Sequence, residues 1–197
     1  MLLLHYYYTN ALDKKGSELG LQEKWSDFLT DYLIVDGYNI INAWTNLKQT
    51  AEESLEISRL ELIEELAKFK NILWKQIIVV FDAHLTKEKK RHTEESSGVM
   101  VIFTQEGETA DSLIEALVYE LVTQGNVEVA TSDWQEQRVI LGKGAARLSA
   151  RNLKDITNAT TQRIRKRYIN KDDSKNTLGN LLDERMKEKL NSFRQSD

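Results

Sequence analysis

The sequence predicts an α/β fold: a mostly parallel central sheet with helices on both faces. Three observations predict it. Strand-like apolar runs recur at 33–35, 77–81, 99–103 and, around Glu128, at 127–131; segments with helical periodicity separate them; two of the runs lead directly into an aspartate and a third reaches one through Ser132. An uninterrupted apolar run suits a strand covered on both sides, and strands alternating with helices give parallel pairing.

The bulk properties bound the answer further. A chain of 197 residues suits one domain with appendages and is long enough to bury a core. The absence of cysteine excludes disulfides, thiolate metal sites and cysteine catalysis. No apolar run approaches the roughly 18 to 20 residues that span a bilayer, and the first residues lack both a basic region and a long apolar one. The expectation is a soluble, cytoplasmic protein with no membrane partner. Neither G-x-G-x-x-G nor G-x-x-x-x-G-K-[ST] occurs, which disfavours dinucleotide and P-loop chemistry. Charge is unevenly distributed. Residues 1–142 hold 13 Lys/Arg against 24 Asp/Glu, and residues 143–197 hold 14 against 7. A basic final third on an acidic body suggests a surface for a polyanion, although solvated helix faces account for the charge equally well.

In chain order, residues 1–30 read as an extension with a short amphipathic helix at 17–29, where Leu21, Trp25, Phe28 and Leu29 share a face. The first strand ends in Asp36-Gly37-Tyr38-Asn39, with Gly37 allowing the chain to turn sharply away from the sheet. A polar link follows, then a helix over 52–73 with Leu55, Leu62, Leu66, Phe69 and Leu73 at helical spacing. The strand at 77–81 ends in Asp82, followed by Ala83 and His84. The charged stretch 87–98 reads as a loop or exposed helix end. After the strand at 99–103, a helix begins at Ala110 with Leu113, Ile114, Leu117, Val118 and Leu121 on one stripe. Asp111 lies in its first turn and Glu108 just before it, where acids favour the helix dipole and capping alone explains them. The strand at 127–131 is closed by Ser132-Asp133. A short helix at 134–141, a glycine break at 142–144, an edge strand at 145–148 and a helix capped by Ser149 follow. A loop is expected at 172–179 and a last amphipathic helix at 181–193.

In such a sheet the carboxyl ends of the strands converge, and ligands bind in the crevice beyond them. Asp36, Asp82 and Asp133 then come together with Asp111. Carboxylates held close repel one another unless a cation joins them. Mg2+ or Mn2+ is the natural partner, since both prefer hard oxygen ligands and bridge phosphate oxygens. A set of unrelated helix caps is the plainer alternative.

These residues also carry a resemblance. Val-Asp-Gly-Tyr-Asn at 35–39, Val-Phe-Asp-Ala-His at 80–84, Phe-Thr-Gln-Glu-Gly-Glu-Thr-Ala-Asp at 103–111 and Ala-Thr-Ser-Asp at 130–133 resemble the NYN branch of the PIN-like nucleases, the bacterial YacP endoribonuclease family above all. Gln-Glu-Gln at 135–137 and Gly-Lys-Gly-Ala-Ala-Arg at 142–147 add to the likeness. The resemblance implies a PIN-like three-layer sandwich at 31–155, flanked by the extension at 1–30 and a basic helical region at 156–197. It implies a metal-dependent endoribonuclease acting on messenger RNA in connection with translating ribosomes. Asp36, Asp82, Asp111 and Asp133 match the family's acidic centre, Asn39 matches its nearby amide, and Glu108 is a weaker match.

The catalytic set expected is therefore Asp36, Asn39, Asp82, Asp111 and Asp133. The four aspartates hold Mg2+ or Mn2+, Asp36 and Asp133 principally, and Asn39 orients a ligand. Lys143, Arg147, Arg151, Arg163, Arg165, Lys166 and Arg167 are expected to hold the RNA backbone, with binding that weakens as salt rises. Tyr38, Trp44 and Trp134 sit beside the strand tips, where they either stack on unpaired bases or pack in the core. His84 is a structural hydrogen-bonding group or a phosphate contact. Two rivals remain: a non-catalytic RNA- or ribosome-binding protein, and a metal-dependent phosphatase. Oligomeric state is open.

Overall fold

β1 (Thr30–Asp36) lies between two parallel neighbours, β2 (Trp74–Phe81) and β5 (Val127–Ala130). The computed structural model describes residues 29–82, 91–132 and 144–173, with side chains to residue 166. With β3 (His92–Ser96), β4 (Val99–Phe103) and β6 (Ala146–Leu148), the described residues form one sheet ordered β3-β4-β2-β1-β5-β6, in which β3 alone is antiparallel. The runs expected at 33–35, 77–81, 99–103 and 127–131 are its four inner strands. The helices expected at 17–29, 134–141 and 181–193 lie outside the described residues.

Five helices are described: α1 (Gly37–Ala43), α2 (Thr45–Glu53), α3 (Leu55–Ala67), α4 (Ala110–Leu121) and α5 (Ala150–Asp173). Successive strand residues point to opposite faces. Leu33, Val35, Ile77, Val79 and Phe81 therefore pack with α1, α2, α3 and α5, through Ile40, Leu47, Leu62 and Leu153. Ile34, Ile78, Val80 and Val129 pack with Leu113, Ile114 and Val118 of α4 on the other face. This three-layer arrangement follows from the chain's path. From β1 it moves one way to β2, and from β4 it crosses back to β5, so right-handed crossovers require the intervening helices to lie on opposite faces.

Four local expectations are corrected. The stretch expected as a loop or helix end contains β3, whose His92–Ser96 pairs with β4 through a turn at Ser97 and Gly98, with φ of 52° and 81°. Two successive left-handed residues match the twist of a two-residue hairpin. The polar link after α1 is the helix α2, anchored by buried Leu47. The helix expected over 52–73 is broken at Ser54, whose side chain accepts from Ile57 N (3.3 Å), and it ends at Ala67. Beyond it, turns and a left-handed Asn71 (φ 61°) carry Phe69 and Leu73 into the core. At the far end α5 continues through Asp173, into the start of the loop expected at 172–179, and Ser149 Oγ accepts from Asn152 N (3.1 Å), as a cap should.

Gly37 serves the fold in a different way from the one expected. Its φ is not left-handed; instead, a Cβ there would collide with the ring of buried Phe81, whose Cζ lies at 2.8 Å. The glycine lets α1 start directly against the sheet. At the opposite end of β1, Asp31 ties three elements together, taking Lys75 Nζ at 2.7 Å and Asn126 N at 2.9 Å. The hydrogen bonds to Lys75 and Asn126 hold its carboxyl below the usual value near 3.8.

Two outcomes follow. Gly37→Ala should destabilise the protein by about 1–3 kcal/mol in urea unfolding, because the Phe81 ring has no room to yield. Asp31→Asn should be less stable than wild type at neutral pH. Because the folded-state pKa of Asp31 is lowered, its contribution is present above about pH 3.8 and is lost as pH falls through the folded value. The difference between the two proteins, followed by thermal unfolding across pH, should shrink in that acid range.

Candidate active site

The carboxyl ends of β1 and β2 present the two aspartates that sequence reasoning placed there. Asp36 is the last residue of β1 and the N-cap of α1: its Oδ1 accepts from Asn39 N at 3.1 Å. Asp82 follows β2 immediately, and its Oδ2 accepts from Ala110 N at 3.1 Å, which fastens the first turn of α4 to the tip of β2. Both side chains are half-buried. A main-chain N–H thus orients each carboxylate. Asp111 stands exposed in that first turn, next to the residue Asp82 holds.

Asn39 links this edge to β5. Its side-chain Oδ1 accepts from Ser132 N at 2.7 Å, spanning the place where the connections from β1 and β5 leave in opposite directions. Such a switch point is where an open parallel sheet forms its ligand crevice. Asp133 is the next residue and lies outside the described residues, as do His84, Trp134, Lys143 and the side chain of Arg167. Among the described residues no three His, Asp or Glu side chains stand close enough together to hold a metal ion. Asp36 and Asp82 still suit a hard divalent ion in donor chemistry, since Mg2+ commonly takes one or two protein carboxylates and completes its shell with water and phosphate.

A family model for the YacP-like NYN domain matches residues 33–195. The YacP protein of Bacillus subtilis strain 168 is 42% identical over 173 residues, which cover 85% of this chain and 98% of that protein. The chain belongs to the YacP-like NYN domain family. In three dimensions it is similar to the crystal structure of Rae1 (YacP) from Bacillus subtilis, with a TM-score of 0.60 and 38% identity over 85% of this chain and 96% of that one. A mutant of Rae1 gives the same TM-score at 40% identity, over 75% and 86%. Membership of the NYN family supports a nuclease type of function.

The surroundings of this NYN site separate the remaining expectations. Tyr38 and Trp44 are buried, so packing is their role. The Tyr38 phenol accepts from Arg59 Nη1 (3.4 Å), and its ring lies 5.0 Å from that of Phe81. Burial pushes the Tyr38 pKa up; Arg59 opposes that shift and the Asp82 charge adds to it. Arg59 was not singled out in the sequence. It lies over the rings of Phe81 and Phe103 at 6.0 and 5.4 Å, a pairing that no local pattern announces. Glu108 is engaged by Arg91 and accepts from Gln105 N (3.3 Å), closing the loop between β4 and α4. Among the basic residues, Arg147 is half-buried in β6, Arg163 is half-buried on α5, and Arg151, Arg165 and Lys166 are exposed on α5. At 100° per residue, Lys154, Arg151, Arg165 and Lys166 share an arc of about 120° on that helix.

A groove of about 820 Å³ opens beside Ser132, between the α1–α2 corner and the start of α5. Trp44 closes its base: the indole N–H donates to Ala150 O at 2.9 Å, and the Lys154 ammonium sits 4.5 Å above the ring while donating to Asn46 Oδ1 at 2.7 Å. Among the described residues no helix is long and apolar enough to cross a membrane.

Asn39→Ala removes the acceptor for Ser132 N and should cost about 1 kcal/mol in urea unfolding. Asn39→Asp keeps an acceptor at that position and should recover most of the loss.

Proposed function

We propose that this protein is a metal-dependent endoribonuclease that hydrolyses phosphodiester bonds in RNA, with Asp36, Asn39, Asp82, Asp111 and Asp133 as its catalytic group. One observation carries the proposal. Asp36 and Asp82 end adjacent parallel strands, each oriented by a main-chain N–H, beside the switch point bridged by Asn39 and Ser132. In a chain of the NYN family, that edge is the natural place for phosphodiester chemistry.

Asp36 and Asp82 would hold Mg2+ or Mn2+, with Asp111 and Asp133 completing the set. When bound, the ion supplies charge stabilisation at the phosphodiester and a lowered pKa for water. The chain's own contribution is orientation. The N–H groups of Asn39 and Ala110 keep the two carboxylates from reorganising as charge develops. Asn39 holds the main chain at Ser132, the residue that precedes Asp133 in sequence.

A nucleic acid suits the charge distribution, and the family resemblance makes that polymer RNA. Lys143, Arg147, Arg151, Arg163, Arg165, Lys166 and Arg167 belong to the basic third and would neutralise its phosphates, while the acidic body discourages unspecific contact elsewhere. The family resemblance extends the proposal to messenger RNA in connection with translation, in the cytoplasm.

Asp36→Asn and Asp82→Asn test this directly. Asparagine caps α1 as well as aspartate does at position 36 and keeps an acceptor for Ala110 N at position 82, so stability should change by no more than about 0.5 kcal/mol. RNA cleavage with Mn2+ should nevertheless fall by about 100-fold or more. Chelation should abolish wild-type cleavage and added Mg2+ or Mn2+ restore it. Cleavage at the wild-type rate by both variants would show that the two aspartates are structural hydrogen-bond acceptors alone.

A further inference from the structure

The groove beside Ser132 has a built character that the catalytic edge does not explain. Its two walls come from residues more than a hundred positions apart, and Trp44 and Lys154 latch them together. The cleft therefore exists before any ligand arrives, and its volume of about 820 Å³ lies in the range of small-ligand sites. Ser132 belongs both to its wall and to the bond with Asn39, so the groove starts where the catalytic edge ends.

The lining chemistry identifies a ligand class. Lys154 and Arg151 supply cations, Asn46 and Gln49 supply carboxamides, and the one carboxylate among the described lining residues, Asp155, lies 3.9 Å from Arg151 Nε in an exposed pair that leaves Lys154 as the cation nearer the groove's base. A carboxamide presents a donor and an acceptor side by side, the pattern that matches a nucleobase edge. Asn46 Oδ1 is taken up by Lys154, so Asn46 acts as a donor through Nδ2. Stacking is not the mode of binding here: Trp44 is buried and Lys154 covers its ring. Beyond the groove, the exposed Arg165 and Lys166 continue along the arc of α5 begun by Lys154 and Arg151.

We propose that the groove seats a nucleotide adjoining the scissile phosphodiester of single-stranded RNA, with Gln49 and Asn46 reading the base edge and Lys154 and Arg151 holding phosphate. This proposal deepens the nuclease reading and rests on it. It makes the groove the origin of a base preference beside the cut.

The test has two arms. In the first, wild type and Gln49→Ala cleave a short single-stranded oligoribonucleotide library randomised at every position, and the cut sites are sequenced. Gln49 is exposed and stands outside the latch, so its removal leaves the walls joined. Wild type should favour particular bases next to the cut, and the variant should weaken that preference by about fivefold or more. In the second arm, fluorescence anisotropy follows binding of the same labelled RNA in chelator, where cleavage plays no part. Arg151→Ala and Lys154→Ala should each reduce affinity and make its dependence on log salt shallower by about one unit; thermal unfolding reports whether loss of Lys154 opens the latch.

The failures separate. Wild type that cuts RNA, with cut-site spectra and affinities unchanged in all three variants, overturns the groove and leaves the nuclease standing. Wild type that cuts neither the free library nor messenger RNA in a translating extract, while Arg151→Ala still weakens binding, upholds the groove as an RNA seat and removes the nuclease.

Discussion

The parallel pairing of β1 with β2 on one side and β5 on the other governs the rest of this chain. An inner strand has partners along both edges and helices over both faces, so Leu33, Ile34 and Val35 are fully buried and polar chemistry is confined to the strand's ends. The amino end uses Asp31 to tie in Lys75 and Asn126. The carboxyl end uses Asp36, and the chain must leave there at once because Phe81 blocks any side chain at position 37. The glycine, the cap and the site are thus consequences of one strand's position.

Capping and chemistry are compatible at Asp36. A carboxylate at a helix N-terminus gains about 0.3–1 kcal/mol from the dipole, and the bond from Asn39 N adds orientation. That gain is small beside the roughly 4 kcal/mol by which two carboxylates at contact distance repel in an effective dielectric near 20. The helix starts at Asp36 and beside Asp82 are therefore sufficient to hold each carboxylate singly. They are insufficient to bring carboxylates to contact distance of one another.

What the sequence made legible follows the same physics. Strands buried on both faces are written as apolar runs, unbroken in the cores of β1, β2 and β4 and interrupted in β5 only by the buried Glu128, so all four were readable, and with them the position of Asp36 and Asp82. β3 was not, because His92, Thr93, Glu94 and Glu95 are exposed at the sheet edge and bury no pattern; Ser97-Gly98 was the one local mark of its hairpin. α2 buries Leu47 alone, too little to show a period. The break at Ser54 depends on a side-chain hydrogen bond set within a continuous helical rhythm, and the rhythm concealed it. Tyr38 and Trp44 could not be assigned to core or surface from their neighbours in sequence. The groove was invisible for a related reason: Asn46 meets Lys154 across 108 positions, and only the folded sheet brings them together.

The Trp44 latch gives the charge asymmetry its meaning. Exposed charges act over about 8–10 Å at physiological salt, so a basic tail of arbitrary direction would attract a polyanion without presenting it to any one edge of the sheet. Here the indole N–H bonded to Ala150 fixes the start of α5 against the α1–α2 corner, and Lys154 pins the same corner through Asn46. Arg151 and Lys154 consequently line a groove that Ser132 joins to the switch point. Trp44, one of the aromatics read as either stacking or packing, packs, and it sets the direction of the basic helix α5. Composition supplies the positive charge, and one hydrogen bond with one cation–π contact decides where the first of it stands.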